Sequence, residues 1–346
     1  MSRHDPPRHD GGSPPLLRVE DLRTHIHTDR GTVRAVDGVS FTVDRGEAVC
    51  VVGESGSGKS VTCESLTGLV PSPPAERVDG RVTFDGTALD DDAARAAVRG
   101  DRIGHVFQNP QHALDPVYTV GAQLREAITA NADGSADAAR RRAVALLDRV
   151  GIPDAGSRVD DYPHEFSGGM CQRVAVATAL AADPDLLIAD EPTTAVDVTV
   201  QARLIDLLRG SLDDGLALLL VTHDLRVVAE VADRVLVMFG GTIVERGPVE
   251  AVFEQPAHPY TRTLLASYDG FERRADRPAR DDLPTDGCRF RAECPHAVDA
   301  CAGGDQPPAY AVGDDHTASC VHYGPDGDPD RLAGAADQAE SEVVDD

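Results

Sequence analysis

Short, wholly apolar runs separated by segments of helical spacing organise the chain from residue 48 onward. Ala48 to Val52, Leu186 to Ala189 and Leu216 to Val221 are continuous apolar stretches of strand length, the pattern of strands buried on both faces. The first is followed at helical spacing by Val61, Leu66 and Leu69, and the second by Val200, Leu204, Leu207 and Leu208. Helices alternating with fully apolar strands predict a mostly parallel sheet covered on both sides. In such sheets the active residues lie at the C-terminal ends of the strands.

Other stretches read differently. Leu17 to Val19, Val33 to Val36 and Val39 to Val43 are strand-like, with Asp37-Gly38 and Arg45-Gly46 as turns, predicting an antiparallel edge that leads into the first buried strand. Gly80 to Phe84 ends in the tight turn Asp85-Gly86, and Ile103 to Phe107 ends at Gln108. From about Thr119 to Val150 the period becomes helical, through Val120, Leu124 and Ile128 and then Val144, Leu147 and Val150, with the polar stretch Asn131 to Asp137 as the loop between. A later helix opens at Ser167, carries Val174, Ala177 and Leu180 on one face, and is closed by Asp183-Pro184. The last hairpin pairs Val235 to Phe239 with Thr242 to Glu245 across Gly240-Gly241.

The turn joining the first buried strand to the first helix is Gly53-Glu54-Ser55-Gly56-Ser57-Gly58-Lys59-Ser60. In that context a glycine-rich turn is a phosphate cradle. Small residues let successive N–H groups converge on phosphate oxygens, and the helix start, with the amides of Ser60 and Val61, adds the positive end of its dipole. Lys59 then reaches the β and γ phosphates while the Ser60 hydroxyl holds Mg²⁺. Of the 33 Lys and Arg residues only Lys59 is a lysine. A chain almost purged of that residue has kept one in this loop.

Composition bounds the rest. A length of 346 residues with 41% hydrophobic content is enough for a sizeable core in one large or two ordinary domains. The longest apolar run, Leu216 to Val221, is far short of the roughly 20 residues a transmembrane helix needs. Met1 to Pro15, rich in Pro, His, Asp and Gly, reads as a disordered lead-in and as neither signal peptide nor anchor. The formal charge of −26 argues against binding nucleic acid through the general surface. The cysteine total of 7 is odd, which argues against a disulfide framework and for a reduced compartment.

A phosphate loop implies a nucleotide without naming a family. Asp190, closing an apolar strand, is placed to hold Mg²⁺ through water. Glu191 is then poised to polarise the attacking water, His223 to reach the γ phosphate from a neighbouring strand, and Gln108 to sense Mg²⁺ and water. A lone acidic pair or histidine at a strand end is more often structural than catalytic, so the joint pattern carries the argument.

Taken together, these residues resemble the ATP-binding cassette (ABC) family from about Leu17 to Arg246. Gly53 to Ser60 matches its Walker A loop, Gln108 its Q-loop, and Ser167-Gly168-Gly169-Met170-Cys171-Gln172 its signature. Leu186 to Asp190 matches the Walker B strand with Glu191 after it, Ala195-Val196-Asp197 the D-loop, and His223 the switch histidine. The resemblance implies two cassettes packed head to tail, each ATP lying between one Walker A loop and the partner's Ser167, Gly168 and Gly169. Val106 to Pro110 with Leu114-Asp115-Pro116, Tyr162 to Glu165, Met170, and His258-Pro259-Tyr260-Thr261 resemble the ATPase subunits of dipeptide/oligopeptide importers, a branch that includes nickel importers. Family members carry an aromatic residue on an early strand to stack on adenine; here His25, Ile26 and His27 stand in that region.

Cys288, Cys294, Cys301 and Cys320 crowd the C-terminal part, with Pro295 directly after the second. Four thiolates from one short segment can surround a single metal centre, and spacing alone does not choose between zinc and an iron–sulfur cluster. The absence of a C-x₂-C pair weakens zinc. The same arrangement recurs in the peptide-importer ATPases, and the resemblance implies a [4Fe–4S] cluster, with Zn²⁺ or metal-free thiols as the alternatives. His296, His316 and His322 are candidate zinc ligands, read ahead of that as surface histidines.

The expected fold is α/β, an ABC-type P-loop ATPase domain with a mixed sheet, an antiparallel edge and a helical insertion, over 17–270. Its helical subdomain falls at about 110–165. A lead-in (1–16), a small four-cysteine region (271–324) and an acidic tail (325–346) complete the chain. The resemblance implies a second ATPase subunit, a paralogue or a copy, with two transmembrane permease subunits and, indirectly, an extracellular substrate-binding protein. That assembly sits at the cytoplasmic face of the membrane. Two rivals are a soluble cassette ATPase acting on DNA or ribosomes, opposed by the acidic surface and the single cassette, and an iron–sulfur assembly protein in which the cysteines are primary.

Asp far outnumbers Glu and Arg almost wholly replaces Lys, a bias like that of proteins from salt-loving organisms, where salt screens a dense carboxylate shell. Dialysis from molar to millimolar salt is expected to abolish most of the far-ultraviolet circular dichroism. Full helical signal and full activity in dilute buffer would refute this reading.

Overall fold

The computed structural model describes residues 14–109, 113–130, 135–194, 197–268 and 283–333. Its centre is a run of neighbouring parallel strands: β3 (Ala48–Val52), β6 (Ile103–Val106), β7 (Leu186–Asp190), β8 (Ala217–Val221) and β9 (Arg234–Phe239), in the order β9-β3-β8-β7-β6. Every residue of β3, β7 and β8 is buried, which is why these stretches read as unbroken apolar runs. Alternate residues serve opposite faces. Ala48, Cys50 and Val52 join Leu187, Leu218 and Leu220 in one core, whereas Val49 and Val51 join Ile188, Leu219 and Leu236 in the other.

The first core is roofed by helices. These include α3 (Val120–Thr129), α4 (Ala136–Arg149) and α5 (Ala155–Arg158), inserted between β6 and β7, then α6 (Gly168–Ala179), α7 (Val198–Asp213) and α8 (Leu225–Val231). Leu124, Leu147, Val174, Leu204 and Val228 reach into it. Thr119 starts α3 by accepting from the Ala122 N–H at 3.2 Å, and Ser135 does the same for α4 through the Ala138 N–H at 3.2 Å, each satisfying a helix-end donor. Within the predicted loop Asn131 to Asp137, residues 131–134 lie outside the described residues.

The second core corrects two expectations. The N-terminal strands are not an edge of the main sheet. β1 (Leu17–Thr28), β2 (Gly31–Val43), β4 (Ala75–Phe84) and β5 (Thr87–Ala88) form their own antiparallel sheet, ordered β2-β1-β4-β5. Its apolar face, with Val19, Leu22, Val39, Phe41, Val82 and Phe84, covers the main sheet together with α1 (Lys59–Thr67) and α2 (Asp92–Val98). Asp37-Gly38 is not a turn either: β2 runs straight through it. Leu22 faces Val39 and Arg23 faces Asp37, so Gly38, at φ 83°, is the extra residue of a bulge.

The main sheet does have an antiparallel edge, built from the other end of the chain. β10 (Thr242–Pro248) pairs with β9, β12 (His316–Ala318) with β10, and β11 (Tyr310–Gly313) with β12. Between these lie α9 (Val249–Glu254) and α10 (Pro259–Tyr268). The docking is polar as well as apolar. Glu245, 1% exposed, accepts from the Ala257 and His258 N–H groups at 2.8 and 2.7 Å and lies 2.8 Å from His316 Nε2. The Arg289 guanidinium pairs with Asp37, which also takes Arg23 at 2.5 Å. His316 and His322, expected at the surface, are 5% and 4% exposed. His316 is held by Glu245, and His322 Nε2 lies 2.8 Å from the His296 carbonyl.

No helix among the described residues is long and apolar enough to cross a membrane. Residues 1–13 of the lead-in and 334–346 of the tail lie outside the described residues, while Leu16 and Leu332 are each 1% exposed.

Glu245→Ala would strand the buried donors that meet at this carboxylate. It is expected to destabilise the protein by about 3 kcal/mol or more, read as an early denaturant midpoint at high salt. An unchanged midpoint would mean that this carboxylate does not dock the C-terminal segment.

Candidate functional site

Register brings the chemistry together. Val51 pairs with Val221, Val221 with Asp190, and Ala189 with Val106. The C-terminal ends of β3, β8, β7 and β6 therefore finish side by side. The segments leaving them carry, respectively, Gly53 to Ser60, His223, Glu191 and Gln108.

The glycine-rich turn is tightly seated. A side chain at Gly58 (φ 107°) would strike the Ala35 carbonyl, and one at Gly53 (φ 150°) the Met238 carbonyl, so both positions demand glycine. Lys59, 7% exposed, donates from Nζ to the Gly53 and Glu54 carbonyls at 2.8 Å each. Gly58 precedes α1 without a side-chain cap, leaving the first-turn amides of Ser60 and Val61 open to an anion. The Ser57 hydroxyl is buried without a hydrogen-bond partner, while Ser55 and Gly56 are exposed at the lip.

Beside the loop, Asp190 is 4% exposed and its Oδ1 has no hydrogen-bond partner. Burial raises the Asp190 carboxyl above its ordinary range and the Glu191 charge adds to this, against a hydrogen bond from Ser60 and the nearby Lys59 ammonium. An unpaired buried carboxylate oxygen next to a serine hydroxyl is a donor set that fits a divalent oxygen-seeking cation.

Glu191 stands at φ 49°, a left-handed conformation unusual for a residue with a side chain. Its Oε1 lies 3.1 Å from His223 Nδ1, and its Oε2 accepts from Thr194 Oγ1 at 2.9 Å. Burial alone would raise this carboxyl, but hydrogen bonds from His223, Thr194 and Gln108 outweigh it and hold the carboxyl below its ordinary value. Gln108, Glu191 and His223 thus meet at one ionised carboxylate.

The other motif residues lie apart. Ser167 caps α6, accepting from the Met170 N–H at 3.3 Å; it is exposed, and Gly168 and Gly169 are half-buried. Asp197 caps α7 through the Val200 N–H at 3.0 Å, while Ala195 and Val196 lie outside the described residues. On β1, His25 is half-buried with Nε2 unpartnered, and burial lowers its pKa. His27 is exposed, 3.2 Å from Thr32 Oγ1 and 3.5 Å from Glu76.

Cys288, Cys301 and Cys320 are buried and Cys294 half-buried, all as free thiols. Burial, with a smaller push from the neighbouring cysteines, raises the Cys288 thiol to about 12 and the Cys320 thiol to about 11. The four share one neighbourhood. Among the described residues, however, no group of three or more His, Cys, Asp or Glu side chains is arranged to hold a metal ion.

Two contacts lay outside the sequence reading. Thr194 hydrogen-bonds Glu191, and the Tyr260 hydroxyl accepts from the Glu54 N–H at 3.0 Å. Thr194 follows Glu191 by three positions and could have been suspected. Tyr260 is 206 positions from Glu54, and nothing local announces the contact.

The family described as ABC transporter matches residues 36–194, and that described as oligopeptide/dipeptide transporter, C-terminal region, matches residues 244–301. Over 89% of its length the chain is 42% identical to the dipeptide transport ATP-binding protein DppD of Escherichia coli (strain K12), covering 96% of that protein. Identity to DppD of Bacillus subtilis (strain 168) is 44%, over 88% of this chain and 94% of that one. Among solved structures the chain is similar to the dimeric ATP-binding cassette MJ0796 in a post-hydrolysis state with ADP and Pi, with a TM-score of 0.62 and 26% identity over 68% of this chain and 99% of that one. It is also similar to cbiO1 from Clostridium perfringens, part of the ABC transporter complex cbiONQ, with a TM-score of 0.58 and 28% identity over 70% of this chain and 92% of that one.

Proposed function

Because the chain belongs to the ABC transporter family, we propose that it is the ATP-binding and ATP-hydrolysing subunit that energises import of dipeptides and oligopeptides through a membrane transporter complex. The observation that carries this reading is the meeting of Gln108 and His223 on the Glu191 carboxylate, beside the phosphate loop. The likeness to dipeptide transport ATP-binding proteins over nearly the whole chain supports the cargo class.

In this reading the loop from Gly53 to Val61 receives the phosphates and Lys59, still anchored at its loop carbonyls, reaches the β and γ oxygens. Ser60, Asp190 and Gln108 would hold Mg²⁺, which when bound neutralises phosphate charge. Glu191 orients and polarises water, and His223 reaches the γ phosphate. A carboxylate held low by three hydrogen bonds stays ionised at neutral pH, as that role requires. Ser167, Gly168 and Gly169 open α6 toward the ATP of a second cassette. Hydrolysis is then an event at an interface, with ATP stabilising the closed pair.

The partners in this reading are a second ATPase subunit, paralogue or copy, and two permease subunits that hold the chain at the cytoplasmic face of the membrane. The division into an ATPase domain (17–270) and a four-cysteine region (271–324) belongs to the same proposal. We further assign Cys288, Cys294, Cys301 and Cys320 to a [4Fe–4S] cluster, supported by four buried or half-buried thiols in one neighbourhood; binding it would require these thiols to close in from an arrangement that does not itself surround a metal ion. A bound cluster would relieve the burial and like-charge penalties these thiolates otherwise bear. Anaerobically purified protein should show a broad visible charge-transfer band with matching iron and sulfide. Colourless protein with stoichiometric zinc would reverse the assignment.

Glu191→Gln is expected to retain ATP affinity while lowering turnover by roughly 10² or more, and Lys59→Ala to weaken ATP binding itself. Both are measured on the complex with its co-purifying permease. Parental hydrolysis rates in both variants would remove these role assignments.

A further inference from the structure

The phosphate loop is held from outside the cassette motifs. The Gly53–Glu54 peptide unit is engaged at both ends: its N–H donates to the Tyr260 hydroxyl at 3.0 Å, and its carbonyl accepts from Lys59 Nζ at 2.8 Å. One rigid amide plane therefore links a tyrosine of the C-terminal segment to the loop's only ammonium group. The Met238 carbonyl packs against the Gly53 end of this plane, where a side chain would otherwise stand.

Tyr260 is itself firmly placed. It is fully buried, with ring centroids 4.6 Å from Phe239 and 5.5 Å from Phe290. Its N–H donates to His258 Nδ1 at 3.1 Å, and the His258 N–H in turn donates to Glu245. Burial keeps His258 neutral, with its pKa lowered to about 4, so Nδ1 remains an acceptor. A continuous series of hydrogen bonds thus runs from Glu245 through His258, Tyr260 and the Gly53–Glu54 peptide to Lys59.

We infer that Tyr260 is a positioning residue for ATP, setting the place of the Lys59 ammonium through the Gly53–Glu54 peptide. Fully buried, it acts from behind the loop. Its hydroxyl satisfies the Glu54 N–H, and so fixes the peptide plane from which the loop turns toward the nucleotide. The inference rests on ATP being the ligand of the loop.

The test is Tyr260→Phe in the full-length protein, which keeps the ring against Phe239 and Phe290 and removes only the hydroxyl. Thr261→Ala is the control: Thr261 is fully buried beside Tyr260 with its hydroxyl unpartnered, and its truncation perturbs packing without touching the loop. MgATP affinity, KM, kcat and thermal midpoint are measured for both. Tyr260→Phe is expected to weaken MgATP binding and raise KM roughly 3- to 10-fold, the worth of one buried hydrogen bond, with kcat within about twofold. Thr261→Ala should lower the midpoint with MgATP affinity unchanged. Parental affinity in Tyr260→Phe overturns the inference, and so does a loss of affinity in both variants in proportion to their loss of stability. Failure of the parental protein to bind MgATP would instead sink the ATPase reading itself.

Discussion

Everything at this site depends on the register of four neighbouring parallel strands. Because β3, β7 and β8 are buried on both faces, a slip of one residue would exchange the two cores, sending Val49 and Val51 toward the helices and Cys50 toward the antiparallel sheet. That cost locks the strand ends level. The cradle amides, the Asp190 and Glu191 carboxylates, Gln108 and His223 come from segments far apart in the chain. Hydrophobic burial, indifferent to chemistry, supplies the alignment that polar groups then exploit.

The second constraint is charge inside that alignment. Asp190 and Glu191 are adjacent, yet their surroundings treat them oppositely. Asp190 keeps a buried, unpartnered oxygen and a raised pKa, a penalty that an oxygen-seeking cation would relieve. Glu191 is saturated by three donors and held ionised. Neighbouring carboxylates driven apart by environment can divide labour between metal and water. The C-terminal segment adds a further wall: Glu245 and the pairing of Arg289 with Asp37 fasten it to the sheets, and Tyr260 carries that attachment into the phosphate loop.

Much of this was legible in the chain. The apolar runs announced the buried strands, since double-sided burial leaves little place for a polar residue before the strand's end, and Gly53 and Gly58 announced the cradle because only glycine fits there against the Met238 and Ala35 carbonyls. Less legible was anything decided by tertiary contact. Asp37-Gly38 has the composition of a turn, but a bulge absorbs it because Val36 and Val39 are both needed in the core. The N-terminal strands have the alternation of an edge, and alternation does not say which sheet they join. His316 and His322 look like surface residues because their partners, a buried carboxylate and a backbone carbonyl, lie 71 and 26 positions away.

The central claim is that a triphosphate is gripped by the loop at the end of β3 and split beside Glu191 when two cassettes close on it. Its most direct test is to follow labelled ATP, at high salt, with this chain alone and with its co-purified cassette and permease subunits. The account predicts retained nucleotide in both samples and phosphate release that rises in the assembled complex. Neither retained nucleotide nor released phosphate in either sample would contradict it.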